Sequence, residues 1–201
     1  MVLAMGLDLP AGLLERARRA YLTPPRAYHS WAHVEEVGRR YQEVALGPGW
    51  KQPREVLLAV VFHDAIYVAG SKDNEDRSAL LATAEVRLAF PGEPVDTARI
   101  EQLIRFTARH GALTAADVDP EAALFLDCDL SILGSSADAF DAYDAQIREE
   151  YSSVPAVLYS LGRRRFLQRL LDAPRIFISD FFHLRLDASA RANLRRALQH
   201  P

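Results

Sequence analysis

The chain has 201 residues, 49% hydrophobic and 25% charged, an ordinary balance for a folded soluble protein and enough length for a buried core. Its formal charge of -3 at pH 7 argues against a protein built mainly to neutralise a nucleic-acid backbone. A single cysteine, Cys128, excludes an intrachain disulfide and a zinc site made of several thiolates. No apolar run approaches the roughly 20 residues of a spanning helix. The opening MVLAMGLDLPAG lacks a basic leader, so no signal peptide is expected and the expected location is cytoplasmic.

Helical periodicity dominates the chain. Residues 11–22 place Leu13, Leu14, Ala17 and Tyr21 on one stripe with Glu15, Arg16, Arg18 and Arg19 opposite. Thr23, Pro24 and Pro25 end that helix, because proline neither continues a helix nor favours one before it. A second helix is expected from His29 or Ser30 to about Ala45, stopped at Gly47-Pro48-Gly49. Pro53 can open a third, whose apolar run from Val56 to Tyr67 reads as a helix buried on most sides. A polar stretch, Ser71 to Asp76, precedes a helix over Arg77 to Phe90. Asp96 or Thr97 can cap the next, to about Arg109, and Glu121 to Leu133 forms another, ending at Gly134. Ser136 or Asp138 caps a helix through Tyr151, Pro155 opens one to Leu171, and Asp187 to Leu198 makes the last. Arg175 to Phe182 alone has strand-like character, too short for a sheet. No repeat and no linker-like shift of composition appears. The expected fold is all-α, one compact domain over residues 1–201 with eight or nine helices.

Three clusters carry chemistry. Tyr28-His29-Ser30-Trp31-Ala32-His33 sets two histidines one helical turn apart. Phe62-His63-Asp64 puts a histidine and an aspartate at the most apolar segment of the chain, and Leu126-Asp127-Cys128-Asp129-Leu130 repeats the pattern with acids. Buried carboxylates need a positive partner, and neutral imidazole with carboxylate suits divalent first-row metals. Each piece also has a plainer account: a core histidine, an acid paired with arginine, a chance His pair, helix-end acids facing solvent. Two histidines and two aspartates would leave two octahedral positions open, which suggests Mn, Fe, Co, Ni or Mg more than a closed zinc site.

The order His33, His63-Asp64, Asp129 resembles the H…HD…D signature of the HD-domain superfamily of metal-dependent phosphohydrolases. Pro25 to Val34, Phe62 to Tyr67, Asp73-Asn74-Glu75 with Arg77-Ser78-Ala79, and Asp127 to Leu130 with Leu133-Gly134 look like one bacterial branch of it. The resemblance implies an all-α fold, one divalent metal held by His33, His63, Asp64 and Asp129, and hydrolysis of a phosphate ester of a small molecule such as a nucleotide. Asp127 is the alternative last ligand, or orients a ligand histidine. Tyr28-His29 before His33 is similar to the Tyr-His-Asn-x-x-His segment of cyclic-nucleotide phosphodiesterases, with Ser30 in place of asparagine. On that pattern His29 is a general acid. Asp64 or Asp129 could help orient the attacking hydroxide, and Glu75 is a candidate base or could hold a substrate hydroxyl. Arg26, Lys72, Arg77 and His110 are candidate phosphate contacts.

A catalytically silent ligand-binding or regulatory protein is the main rival, and an oxidative di-iron enzyme is disfavoured by the shortage of ligands; His183 and His200 match no ligand pattern. Arg163-Arg164-Arg165 with Arg169 could form a basic face for nucleic acid, but they occupy more than one side of a helix and read as a solvated face. The expected partner is a small phosphorylated substrate, with neither membrane nor nucleic acid, and no motif states an oligomeric state.

Overall fold

A computed structural model describes residues 9–199. The opening residues read above for a leader, up to position 8, and His200 lie outside it. Among the described residues there are nine α-helices, one 3-10 turn and no strand, as the periodicity implies. None of the helices is long and apolar enough to cross a membrane. The chain sorts into two compact units, up to Ala108 and from Arg109 onward; the sequence carries no linker signal at that junction.

The first unit holds α1 (Ala11–Ala20), α2 (Trp31–Leu46), α3 (Pro53–Phe62), α4 (Asn74–Ala89) and α5 (Thr97–Thr107). α3 is its axis. Pro53 fits the first helical position, where a missing N–H costs nothing, and every residue from Glu55 to Phe62 is buried. α1, α2, α4 and α5 each pack on α3, which is why its apolar residues go all the way round. α2 closes with Gly49, whose φ of 81° lets its N–H reach the Val44 carbonyl at 2.8 Å.

The second unit holds α6 (Pro120–Leu130), the 3-10 turn Ser131–Gly134, α7 (Ala137–Glu150), α8 (Ala156–Asp172) and α9 (Asp180–Gln199). Asp119 caps α6 by accepting from the Glu121 and Ala122 amides, both at 3.0 Å. Ser136 caps α7 through the Ala139 amide. The 3-10 turn lies against α9, α6 and α7. Asn193 of α9 donates to the carbonyls of Leu133 and Ser135, 3.0 Å each. Arg191 donates to those of Leu171, Ala173 and Pro174, tying the α8–α9 connection down.

Three expectations are corrected. α3 stops at Phe62, five residues short of Tyr67, because side chains elsewhere take the backbone groups that would continue it: Arg26 binds the carbonyls of Asp64 and Ala65, and Ser78 accepts from the Ile66 amide. α2 starts at Trp31, so His29 lies just before the helix and not on it. The strand-like Arg175 to Phe182 enters α9, which begins at Asp180 and not Asp187. Asp127 accepts from the Ile178 and Ser179 amides and the Ser179 hydroxyl, at 2.8, 2.7 and 2.5 Å, and so caps that end.

A Cβ built on Gly134 would lie 2.7 Å from Leu186 Cβ and 3.0 Å from the Leu186 carbonyl oxygen. Gly134→Ala should therefore cost about 1–3 kcal/mol through overpacking, read as a lower urea midpoint with an unchanged m value. Gly162→Ala is the control: a Cβ there meets nothing within 4 Å, and the change should stabilise by about 1 kcal/mol through helix propensity.

Candidate metal centre

Three side chains of the first unit converge. His33 sits in the first turn of α2, His63 caps the C-terminus of α3, and Asp64 is the next residue. His33 Nε2 lies 3.1 Å from His63 Nε2. Asp64 Oδ2 lies 3.2 Å from His63 Nε2 and 3.7 Å from His33 Nε2. All three residues are buried, and they form the group of His, Cys, Asp and Glu donors that can hold a metal among the described residues.

The donor chemistry fits a cation. His63 Nδ1 is 3.0 Å from the Val60 carbonyl. A carbonyl can only accept, so Nδ1 carries the proton and the neutral ring presents a lone pair at Nε2. Fixing one ring nitrogen by a backbone carbonyl is the usual way a ligand histidine is oriented. Ligands at right angles around an ion with bonds of about 2.0–2.2 Å stand about 3 Å apart, close to the two shorter separations here.

His29 stands at the rim of this group. Its Nε2 is 3.9 Å from Asp64 Oδ2. The ring stacks on Tyr67, centroids 3.9 Å apart and 20° between planes, and meets the Tyr28 ring edge-on at 5.0 Å. Tyr28 also lies 4.8 Å from the His33 ring. His29 is thus clamped between aromatics although it precedes α2. The side chains of His29 and Asp64 keep 16% and 11% of their exposure, against 2% and 0% for His33 and His63. Access is therefore from the His29 and Asp64 side.

The turn after Asp64 is held by α4. Asn74 accepts from the Val68 amide at 2.9 Å and donates to the Val68 carbonyl at 3.0 Å. Ser78 does the same for Ile66, at 3.0 and 3.1 Å. Arg26 braces the same turn: its guanidinium donates to the carbonyls of Ala20, His29, Asp64 and Ala65. Arg26 was expected at a phosphate. Both of its terminal nitrogens are engaged by four carbonyls, and the residue is a brace linking the His29 segment to the Asp64 turn.

The remaining candidates fall as follows. Glu75 is half-buried in the first turn of α4, and not in a loop, while Lys72 and Arg77 are exposed. Asp129 and His110 belong to the second unit and pair with each other, Oδ2 to Nε2 at 2.7 Å. Asp127, two residues before Asp129 on α6, is fully buried as the cap of α9. Burial pushes its carboxyl up to about 7, against the pull of the Ser179 and Ile178 hydrogen bonds. Sequence reasoning gave no role to Tyr67 and did not see Asn74 and Ser78 as clamps. A polar residue one turn apart on the buried face of an otherwise ordinary helix was the available signal.

Compared with known proteins, the chain matches no family model, no curated protein and no solved structure.

Asn74→Ala leaves the Val68 amide and carbonyl without their partner, and should cost about 1–3 kcal/mol in urea unfolding. Arg26→Lys keeps the charge but not the fork that spans four carbonyls. It should destabilise by a similar amount, and a wild-type midpoint in either variant would remove the bracing role.

Proposed function

We propose that the protein is a metal-dependent hydrolase of the HD-domain type, cleaving the phosphate ester of a small molecule such as a nucleotide. The observation that carries this reading is the convergence of His33 Nε2, His63 Nε2 and Asp64 Oδ2 within 4.8 Å of one another, beside a third, partly exposed histidine, His29. The reading rests on these three donors of the first unit, without Asp129. They would hold one divalent ion, of Mn, Fe, Co, Ni or Mg. Such an ion supplies offsetting charge for a phosphoryl group and lowers the pKa of water.

The chain's own residues supply the rest. His29 presents Nε2 on the open side, where a leaving oxygen can take its proton. Tyr67 and Tyr28 fix the plane of that ring, so little orientation is left to be found at the moment of transfer. Asp64, with one oxygen toward the histidine nitrogens, can orient an attacking water with the other. Arg26 and the Asn74–Ser78 clamp keep the His29 and Asp64 segments in register. Phosphate recognition falls to Lys72 and Arg77, whose side chains are exposed and make no hydrogen bond or ion pair within the described residues.

The test is phosphate release from a panel of nucleotides and small phosphate esters, using metal-stripped protein re-supplied with Mn²⁺, Co²⁺, Ni²⁺ or Mg²⁺. Turnover should need metal. Asp64→Ala should lose metal and activity together, whereas His29→Ala should keep the metal and slow turnover by about 10²–10⁴-fold. Stoichiometric metal with no turnover on any ester would favour a binding protein instead. Loss of metal in His29→Ala with retention in His33→Ala would reverse the two histidines.

A further inference from the structure

The outer side of α4 is apolar along its middle, where a surface helix is ordinarily polar. The helix buries Asn74, Ser78, Ala79, Ala82, Thr83 and Val86 and packs with α1, α3 and α5. On the opposite side Leu80 and Leu88 are 61% and 65% exposed, and Ala84 between them is exposed as well. Steps of four residues put the three in one row, which is one of the ridges by which helices pack. Leucines exposed singly need no explanation. A row of them over successive turns of one helix is a ridge without a groove.

Two observations decide what fits it. The row reads leucine, alanine, leucine at equal steps from Ala84, so reversing its direction lays it on itself. That is what a two-fold axis asks of a contact made by the same patch on both copies. With the axis at Ala84, Leu80 of each copy lies beside Leu88 of the partner subunit. The small side chain at the crossing lets the helix axes approach to about 8 Å.

The charges along the edges agree with a reversed copy. Asp76 and Arg87 lie on the α5 side of the row, where Asp76 pairs with Arg105 and the charge of Arg87 helps lower the Glu101 carboxyl. Arg87 makes no hydrogen bond or ion pair among the described residues, and the Asp76 side chain is mostly exposed. Reversal about Ala84 brings Arg87 of one copy to about 7.5 Å along the axis from Asp76 of the other, within the span of an arginine side chain. The other edge is neutralised inside one chain by the Arg16–Glu85 pair. α8 also exposes aliphatic residues, Val157, Leu158 and Leu161. That face runs on into the exposed Arg164, Arg165 and Arg169 and has no such symmetry.

We propose that the outer face of α4 binds a second copy of this chain, as an antiparallel α4–α4 pair with its two-fold axis at Ala84. The contact uses no residue of the metal centre, and the proposal is independent of the reaction proposed there.

Sedimentation of the full chain over about 1–100 µM tests it. A reversible equilibrium is expected between one chain of 22.5 kDa and its dimer. Leu80→Glu and Leu88→Glu should each weaken the dimer by about tenfold or more and leave the urea midpoint in place, because both side chains are exposed. Leu158→Glu on α8 should leave the dimer as it is. Ala84→Cys supplies a test that disrupts nothing: a residue on the two-fold axis faces itself, so mild oxidation should join two chains by a disulfide. The native Cys128 is buried, and the parent should not cross-link. A monomer throughout the range would overturn the proposal, as would a dimer indifferent to both leucine variants. So would a dimer lost in Leu158→Glu, which moves the contact to α8, or one in which Ala84→Cys does not cross-link.

Discussion

Two imidazole nitrogens and a carboxylate oxygen stand 3.1 to 3.7 Å apart in a buried place. His63 donates its Nδ1–H to the Val60 carbonyl, so in its neutral form it offers the others only a lone pair. Electronegative atoms facing one another at this range, out of water, repel unless a proton or a cation lies among them. The first unit is organised around holding that arrangement. α3 ends where His63 must turn inward, and Arg26 occupies the carbonyls that a longer helix would have used. Asn74 and Ser78 lock the turn that carries Asp64. The aromatic clamp holds the His29 ring at the rim of the same group.

The device that recurs is a polar side chain spent on backbone groups at a helix end. Asn74 and Ser78 do this for the turn after α3, and Asp127 for the start of α9. Asp187 takes the Ile176 amide at 2.7 Å while also bonding Arg191. Asn193 and Arg191 supply the carbonyl side. Each satisfies donors or acceptors that burial would otherwise strand. The buried polar residues of both units are therefore mostly structural, and the His33–His63–Asp64 group differs from them in having its donor atoms turned on each other.

Helical period, prolines at first positions and acidic or serine caps made the all-α class and the number of helices legible in the sequence. What stayed hidden was set by contacts between distant segments. Val56 to Tyr67 is apolar enough to continue as helix, and only Arg26 and Ser78, far away in the chain, stop it. Arg175 to Phe182 has strand-forming residues, and Asp127, some 50 residues upstream, turns it into a helix start. At the site, His33, His63 and Asp64 were legible because a histidine or acid inside an apolar run needs a reason. Arg26 was misread because a guanidinium bound to carbonyls and one bound to phosphate look identical in a sequence. Tyr67 was invisible as a stacking partner because an aromatic in an apolar run is ordinarily core.

The account stands or falls on whether a cation sits among the three donors. The most direct measurement is anomalous diffraction from crystals of the full chain grown with Mn²⁺ or Co²⁺, collected on either side of the metal's absorption edge. A single edge-dependent peak within bonding distance of His33 Nε2, His63 Nε2 and Asp64 Oδ2 is the predicted result. No peak there at saturating metal, with the two histidines still 3.1 Å apart, would contradict the account and leave the cluster as a proton-bridged element of the core.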